Sequence, residues 1–362
     1  MIMNAETIEA LVLGGAFLGG GGGGSLEEGR RLGLESLRLG QPVLLPVDDL
    51  RPADIVVTVS AVGAPAAREK LVLPDDYIRA VRLLAERIDG RVSGLISSEN
   101  GGISSVNGLI QSAALGIPVI DCPCNGRAHP TGTMGGMALG ERPGFVSRQV
   151  AVGGNPSAGR RLEMYVEAPL PLADALVREA AVRAGGLVAV ARNPVEAAYV
   201  RDHGAPGAIR MALELGRIIL GRRHAGGEEV ARTLAEALGG AVAGSGRVSN
   251  IRLETTGGYD FGSLRVDDLC LRFWNEYMEL ERKGARLATF PDLIATLAAE
   301  DGTPRTSADL EPGAEVVVLH APGQRLILGS GMRVAANLRA VEEAMRMLKG
   351  AGAGNKGGGN GT

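Results

Sequence analysis

The chain is 362 residues long, enough for two domains with ample core, and its 45% hydrophobic and 22% charged residues are those of a globular protein. A net charge of −3 with only 3% aromatic residues leaves neither the electrostatic footprint nor the stacking surface of a nucleic-acid binder. Three cysteines, two of them one residue apart, form no disulfide framework and point to a reducing cytoplasm. The acidic start (Glu6, Glu9) lacks the basic leader of a signal peptide. There is also no uncharged apolar run of about 20 residues to cross a bilayer. The expectation is a soluble cytoplasmic protein.

Ala5 to Phe17 reads as an apolar helix that runs into six consecutive glycines, Gly19 to Gly24. Ser25-Leu26-Glu27-Glu28 then opens a second helix with a capping-box pattern. A glycine loop feeding a helix start offers backbone N–H groups to an anion, which makes Gly22, Gly23, Gly24 and Ser25 candidate substrate-binding residues. The loop lacks a Gly-Lys-Ser/Thr ending, and a close backbone crossing that only glycine permits explains it equally well.

Val43 to Val47 and Asp54 to Ala61 read as strands, the second a nearly continuous apolar run suited to a buried parallel sheet. Gly63-Ala64-Pro65 turns the chain, and Asp75 to Ile88 reads as a helix. Leu95 to Ser97 is a short strand that breaks at Glu99-Asn100-Gly101-Gly102. Ile103 to Leu115 has helical periodicity and stops at Gly116, and Pro118 to Ile120 is a further strand. This βαβ series favours a parallel sheet covered by helices on both faces. Ligands collect beyond the carboxyl ends of such strands, so Glu99 and Asp121 are expected to face one crevice.

Met134 to Leu139 is expected to begin a short helix. A composition shift near Ser157 suggests a domain boundary. Beyond it come a strand at Arg160 to Glu167, a helix at Leu172 to Ala184 and a strand at Leu187 to Ala191. Helices follow around Val195 to Arg201, Ile209 to Leu220 and Glu228 to Leu238. Strands then follow at Arg247 to Thr255, Gly262 to Arg265, Leu269 to Tyr277, Ala285 to Phe290, Glu315 to Leu319 and Arg325 to Leu328. Val334 to Leu348 closes as a helix. The fold class is therefore α/β: residues 1–157 as a parallel-sheet α/β domain carrying the site, 158–349 as an α+β domain with a mixed or antiparallel sheet, and 350–362 as a disordered glycine-rich tail.

The segment Leu95 to Pro130 carries the chemistry. Glu99 and Asp121 each end an apolar strand, where a bare carboxylate must be hydrated, paired or used, and either suits a general base. Arg127, always charged and forked, suits an oxyanion or a ring carbonyl, or else pairs with Asp121 to fix the turn. Asn100 and Asn107 are candidates for orienting substrate amides, with a cap and a solvated helix face as the plainer roles. Cys122, Cys124 and His129 are the ligand types that zinc prefers, although Cys-x-Cys is not a standard zinc spacing. Cys124 with His129 also suits a thiolate nucleophile and its base, and two small buried thiols at a tight turn would need no role.

Several blocks together resemble the S-methyl thiohydantoin desulfurase family, found in bacteria beside hydantoinases. They are Gly14-Gly15-Ala16-Phe17-Leu18-Gly19, Val62-Gly63-Ala64-Pro65 with Glu69-Lys70, and Glu99-Asn100-Gly101-Gly102 with Asn107. Pro118 to Asp121, Gly126-Arg127-Ala128, Asn275-Glu276-Tyr277 and Pro291-Asp292-Leu293-Ile294 complete the set. The resemblance implies hydrolytic cleavage of a C–S bond on a five-membered hydantoin-like ring. Two alternatives stay open: a zinc- or thiolate-dependent hydrolase or lyase of another cyclic amide, and a non-catalytic partner subunit of a hydantoinase-like enzyme. A homo-oligomer is expected from the size of compact bacterial enzymes.

Overall fold

The computed structural model describes residues 1–64 and 66–353. Helices α1 (Ala5–Leu18) and α2 (Leu26–Leu39) are followed by β1 (Leu44–Leu45), β2 (Ile55–Gly63), α3 (Pro74–Ala85), β3 (Val92–Ser97), α4 (Leu109–Leu115) and β4 (Val119–Ile120). Next come β5 (Ser147–Gly153), β6 (Leu162–Ala168), α5 (Leu170–Arg183), β7 (Leu187–Glu196), α6 (Ala197–His203), α7 (Ala208–Arg222) and α8 (Gly227–Ala237). The remainder is mostly strand: β8 (Ala241–Thr256), β9 (Tyr259–Val266), β10 (Leu269–Trp274), β11 (Glu276–Arg282), β12 (Ala285–Thr289), β13 (Leu293–Ala298), β14 (Pro304–Arg305) and β15 (Glu315–Ala321), before α9 (Ala335–Ala353).

The first sheet has the order β1-β4-β3-β2-β7-β5-β6. It is parallel from β1 through β2, as the βαβ pattern requires, and antiparallel from β2 onward. Alternate residues of β2 point to opposite faces. Val57 and Val59 pack under α3, while Val56 and Val62 pack towards α6 and α5. The second sheet, β12-β11-β10-β9-β8-β15-β13-β14, is antiparallel throughout. Its long strand β8 pairs with β15 over one half and with β9 over the other. The sheet thereby folds over a core that includes Val248, Leu271, Phe273, Tyr277 and Val318.

Helix α1 is apolar on nearly every side because it lies between other elements. Its Ile8, Leu11 and Phe17 share one core with Leu213 of α7, Leu234 of α8, Ala189 of the first sheet and Leu297 and Val317 of the second. Burying each such large side chain contributes about 1.5–3 kcal/mol. The crossing with α7 is made by glycine: a Cβ added at Gly14 would lie 1.7 Å from Ala212 O, and one at Gly216 would lie 1.7 Å from Ala10 O.

The α/β fold class and the antiparallel second sheet stand as expected, with local corrections. Strands β5, β13 and β14 were not anticipated, and α4 starts at Leu109 and not at Ile103, since a 3-10 turn (Ser104–Val106) and Gly108 with φ +103 precede it. No strand forms at Arg325–Leu328, where a 3-10 turn (Gly323–Arg325) stands instead, and the helix expected at Met134 is a turn-rich loop with a short 3-10 segment at Leu139–Glu141. The expected strand Leu269–Tyr277 is a tight hairpin that reverses at Asn275, which has φ +56. The 157 position falls between β5 and β6, which pair along their whole length, so the first sheet takes β6 and β7 from beyond it. Helix α9 continues through Ala353, into the expected tail; Pro65 and residues 354–362 lie outside the described residues.

Candidate functional site

Strand β2 runs on to Gly63 past the end of its parallel neighbour β3, whose last residue Ser97 pairs with Val59, and a cavity of about 70 Å³ opens beyond the carboxyl end of β3 against this extension. Ser60 to Gly63 and Ser98-Glu99 form one wall. His129 to Gly132, Arg178 of α5 and Arg192 of β7 form the next, and Gly23, Gly24 and Asn275-Glu276 close it from the second sheet's side. A space of this size holds about five waters or one small ring, and excludes a polymer.

Glu99 is held at both oxygens. Oε1 accepts from Ser104 Oγ at 2.9 Å, and Oε2 accepts from the His129 backbone N–H at 3.0 Å and lies 3.3 Å from His129 Nε2. The same Nε2 is 3.3 Å from Ser98 O. Both neighbours of Nε2 are acceptors, so the proton belongs on Nε2 and the lone pair on Nδ1. Nδ1 is buried and has no hydrogen-bond partner within the chain. Burial lowers the His129 pKa below the ordinary histidine value and outweighs the opposing pull of Glu99. The imidazole is therefore neutral at pH 7, with its free nitrogen available as a base.

Glu276 is a second carboxyl in the same cavity. The hairpin at Asn275 brings it there: Asn275 Oδ1 accepts from Asp260 N–H at 2.9 Å, and its carbonyl accepts from Ser307 Oγ at 2.8 Å. Glu276 is fully buried and Oε2 has no partner. Burial, reinforced by the charge of Glu99, raises its pKa well above the ordinary value, with Arg127 opposing. Burial thus favours the protonated form of Glu276 and the neutral form of His129. Gly22 makes room for it, since a Cβ there would lie 2.2 Å from Glu276 Oε1.

Two buried arginines complete the walls. Arg178 donates to Gly63 O and Gly258 O at 3.1 Å and to Pro130 O at 3.0 Å, and lies over the Tyr259 ring at 4.2 Å, so it ties three loops together. Arg192 donates to Ser98 Oγ at 3.0 Å.

Residues 6–152 match the S-Me-THD-like N-terminal domain and residues 170–335 the S-Me-THD-like C-terminal domain. The chain belongs to the S-Me-THD-like family. In this S-Me-THD-like protein the cavity draws on both domains, Glu99 and His129 from the first and Arg178, Arg192 and Glu276 from the second. The fold is shared with a protein from Chromobacterium violaceum of known crystal structure. That chain is 19% identical, with a TM-score of 0.72 over 96% of this chain and 97% of the other. No curated protein matches the chain.

Of the residues singled out in the sequence of this S-Me-THD-like chain, Glu99, His129, Gly23 and Gly24 line the cavity. Asp121 does not. Its Oδ1 accepts from Ile209 N–H at 2.9 Å and Arg210 N–H at 3.3 Å at the start of α7, and its Oδ2 from Arg210 Nε at 2.5 Å. The expected Asp121–Arg127 pair is therefore absent. Arg127 is fully buried elsewhere, donating to the carbonyls of Ala128, Tyr277, Pro291 and Asp292 and lying 4.7 Å from the Phe290 ring. Burial lowers its pKa to about 10.

Cys122 Sγ donates to Val200 O at 3.3 Å, and Cys124 Sγ lies 3.3 Å from Thr58 Oγ1. Burial raises both thiols, Cys124 to about 11, which disfavours a thiolate. The two thiols and His129 do not converge, and among the described residues no three His, Cys, Asp or Glu side chains stand together as a ligand set. Asn100 is structural, its Nδ2 donating to Gly126 O and Ala208 O and its Oδ1 accepting from Ser105 Oγ. Asn107 is buried away from the lining, and Ser25 caps α2 by accepting from Glu28 N–H at 3.1 Å.

The glycine run serves close approach: Gly23 O accepts from the Ile103 and Ser104 N–H groups, and a Cβ on Gly23 would lie 2.5 Å from Gly101 Cα. Among the described residues no helix is long and apolar enough to cross a membrane.

Sequence reasoning passed over Arg192, Arg178 and Ser60, and it set Glu276 aside: within the Asn275-Glu276-Tyr277 block that acid could reach the crevice, but solvation is the default for an acid on a strand face. For Arg192 a signal existed, since it continues an apolar strand without ending it.

Proposed function

We propose that this protein is a hydrolase that cleaves a C–S bond on a small hydantoin-like ring. The observation that carries the reading is one cavity lined by His129, held by Glu99 with Nδ1 unpartnered, and by the buried Glu276 with Oε2 unpartnered, whose pKa values are pushed down and up. That is a base and an acid whose surroundings push their pKa values apart.

For a ring bearing an S-methyl group on the carbon between its nitrogens, His129 Nδ1 takes a proton from water as its oxygen bonds to that carbon. The electron pair of the C=N bond moves to the ring nitrogen, which receives the proton from His129. Glu276 then gives its proton to sulfur as the C–S bond breaks, and regains one from the new hydroxyl as the ring carbonyl forms. One water is consumed: its oxygen becomes the carbonyl oxygen, one hydrogen ends on nitrogen and the other on methanethiol. Acid–base catalysis of this kind contributes about 10²–10⁴-fold per group.

The test is release of methanethiol from a 2-methylthio-hydantoin by the purified protein, read with a thiol reagent across pH. The rate is expected to rise with pH as His129 loses its proton, at a value below the ordinary histidine range. It then falls as Glu276 ionises. His129→Gln and Glu276→Gln are each expected to lower kcat by about 100-fold or more. No thiol release by the wild type, or undiminished release by both variants, refutes the reading.

A further inference from the structure

A buried guanidinium requires acceptors for its five N–H hydrogens and a countercharge. Arg192 is 2% exposed and lines the cavity. Its Nη2 spends one hydrogen on Ser98 Oγ, while Nε and Nη1 have no hydrogen-bond partner. The carboxylate paired with it, Asp174, stands 3.8 Å from Nη1, beyond hydrogen-bond reach. Whichever edge of the fork Ser98 occupies, the other keeps a full pair of N–H donors.

The neighbouring strand offers a further unused group. Arg192 on β7 pairs with Thr58 on β2, which places Ser60 on the same face of the sheet, one diagonal step away. Ser60 Oγ is buried, lines the cavity and has no partner. Two groups of the lining, the Arg192 fork and the Ser60 hydroxyl, therefore hold unused donors side by side. A neutral carbonyl satisfies one N–H. A carboxylate satisfies a whole fork edge with charge-assisted bonds.

We infer that the ligand of this cavity carries a carboxylate, gripped by the free edge of the Arg192 fork with the Ser60 hydroxyl donating beside it. This deepens the reading above and rests on it for the choice of ring: the substrate is an acidic hydantoin-like ring, such as one derived from an acidic amino acid.

The test compares two 2-methylthio-hydantoins that differ only at ring carbon 5, one with a carboxymethyl group and one with the isosteric carbamoylmethyl group. The wild type is expected to turn over the acid with kcat/KM about tenfold or more above the amide. Arg192→Gln is expected to bring that ratio to about one, and Ser60→Ala to reduce it severalfold, which keeps the test open if Arg192→Gln does not fold. Calorimetry with the unreactive oxo-hydantoin acid and amide reads the same preference without turnover. Equal use of acid and amide by the wild type, or a preference that survives Arg192→Gln, overturns the inference and leaves the hydrolase reading standing. Arg192-dependent binding of the acid with no methanethiol released does the reverse. Binding of neither compound overturns the inference.

Discussion

Replacing Glu276 by glutamine isolates the cost of burying that carboxyl. In the folded chain the group is fully enclosed, Oε2 has no partner, and burial together with Glu99 raises its pKa well above the ordinary value. In the unfolded chain it returns to about 4.3. The folded state thus keeps a proton that the unfolded state releases. The contribution to stability is complete below the unfolded value and is lost as pH rises towards the folded one. Over that window the loss is about 1.4 kcal/mol per pH unit. Glutamine has nearly the same size and cannot ionise, so the variant should gain on the wild type by that amount for each unit. His129 titrates in the opposite sense, its lowered pKa adding stability as pH rises towards about 6.5, but it is common to both proteins and cancels in their difference. Urea unfolding at half-unit steps from pH 5 upward measures the gap. A gap that does not change with pH would show that Glu276 ionises as freely in the fold as in water, and the acid assigned to the cavity would be lost.

Asp121→Asn should cost about 1–3 kcal/mol in urea unfolding by weakening the cap of α7 and the bond to Arg210, with kcat/KM unchanged because the residue lies outside the cavity. A large fall in kcat/KM at unchanged stability would restore Asp121 to the chemistry. Native protein treated with iodoacetamide should be labelled at half-buried Cys270, while Cys122 and Cys124 react only after unfolding; mass mapping that finds Cys124 modified first contradicts the burial described above. Gly14→Ala drives a methyl group into Ala212 O and should destabilise the fold by about 3 kcal/mol, with Gly216→Ala behaving alike; a shift in urea midpoint within error of zero would mean that α1 and α7 do not cross at these glycines.

What could be read from the chain was local. The apolar run of β2 and the strand end before Glu99 lie within windows of about ten residues and formed where the pattern placed them, whereas the helix expected from Ile103 begins only at Leu109, because Gly108 with φ +103 separates it from a 3-10 turn at Ser104–Val106. What could not be read were partners chosen by tertiary packing. Asp121 was matched with Arg127, six positions on, but its true partner Arg210 is 89 positions away. Cys122, Cys124 and His129 are close in sequence, yet their side chains turn to Val200, Thr58 and Glu99. Glu276 could reach the crevice on the sequence but was left to solvent, because the strand was drawn through Asn275 and the left-handed backbone that makes the hairpin leaves only a faint trace in composition. Arg192 was hidden by ending β7 at the first charge, though that charge is the group that lines the cavity.

The side chains proposed as base and acid come from different family modules, Glu99 and His129 before residue 152 and Glu276 after residue 170. On the proposed reading, neither module alone would hold both groups. An exchange of modules between distant relatives would work only where the seam still fits, and Arg178, reaching from one module to the carbonyls of Gly63 and Pro130 in the other, is where such a hybrid would first fail.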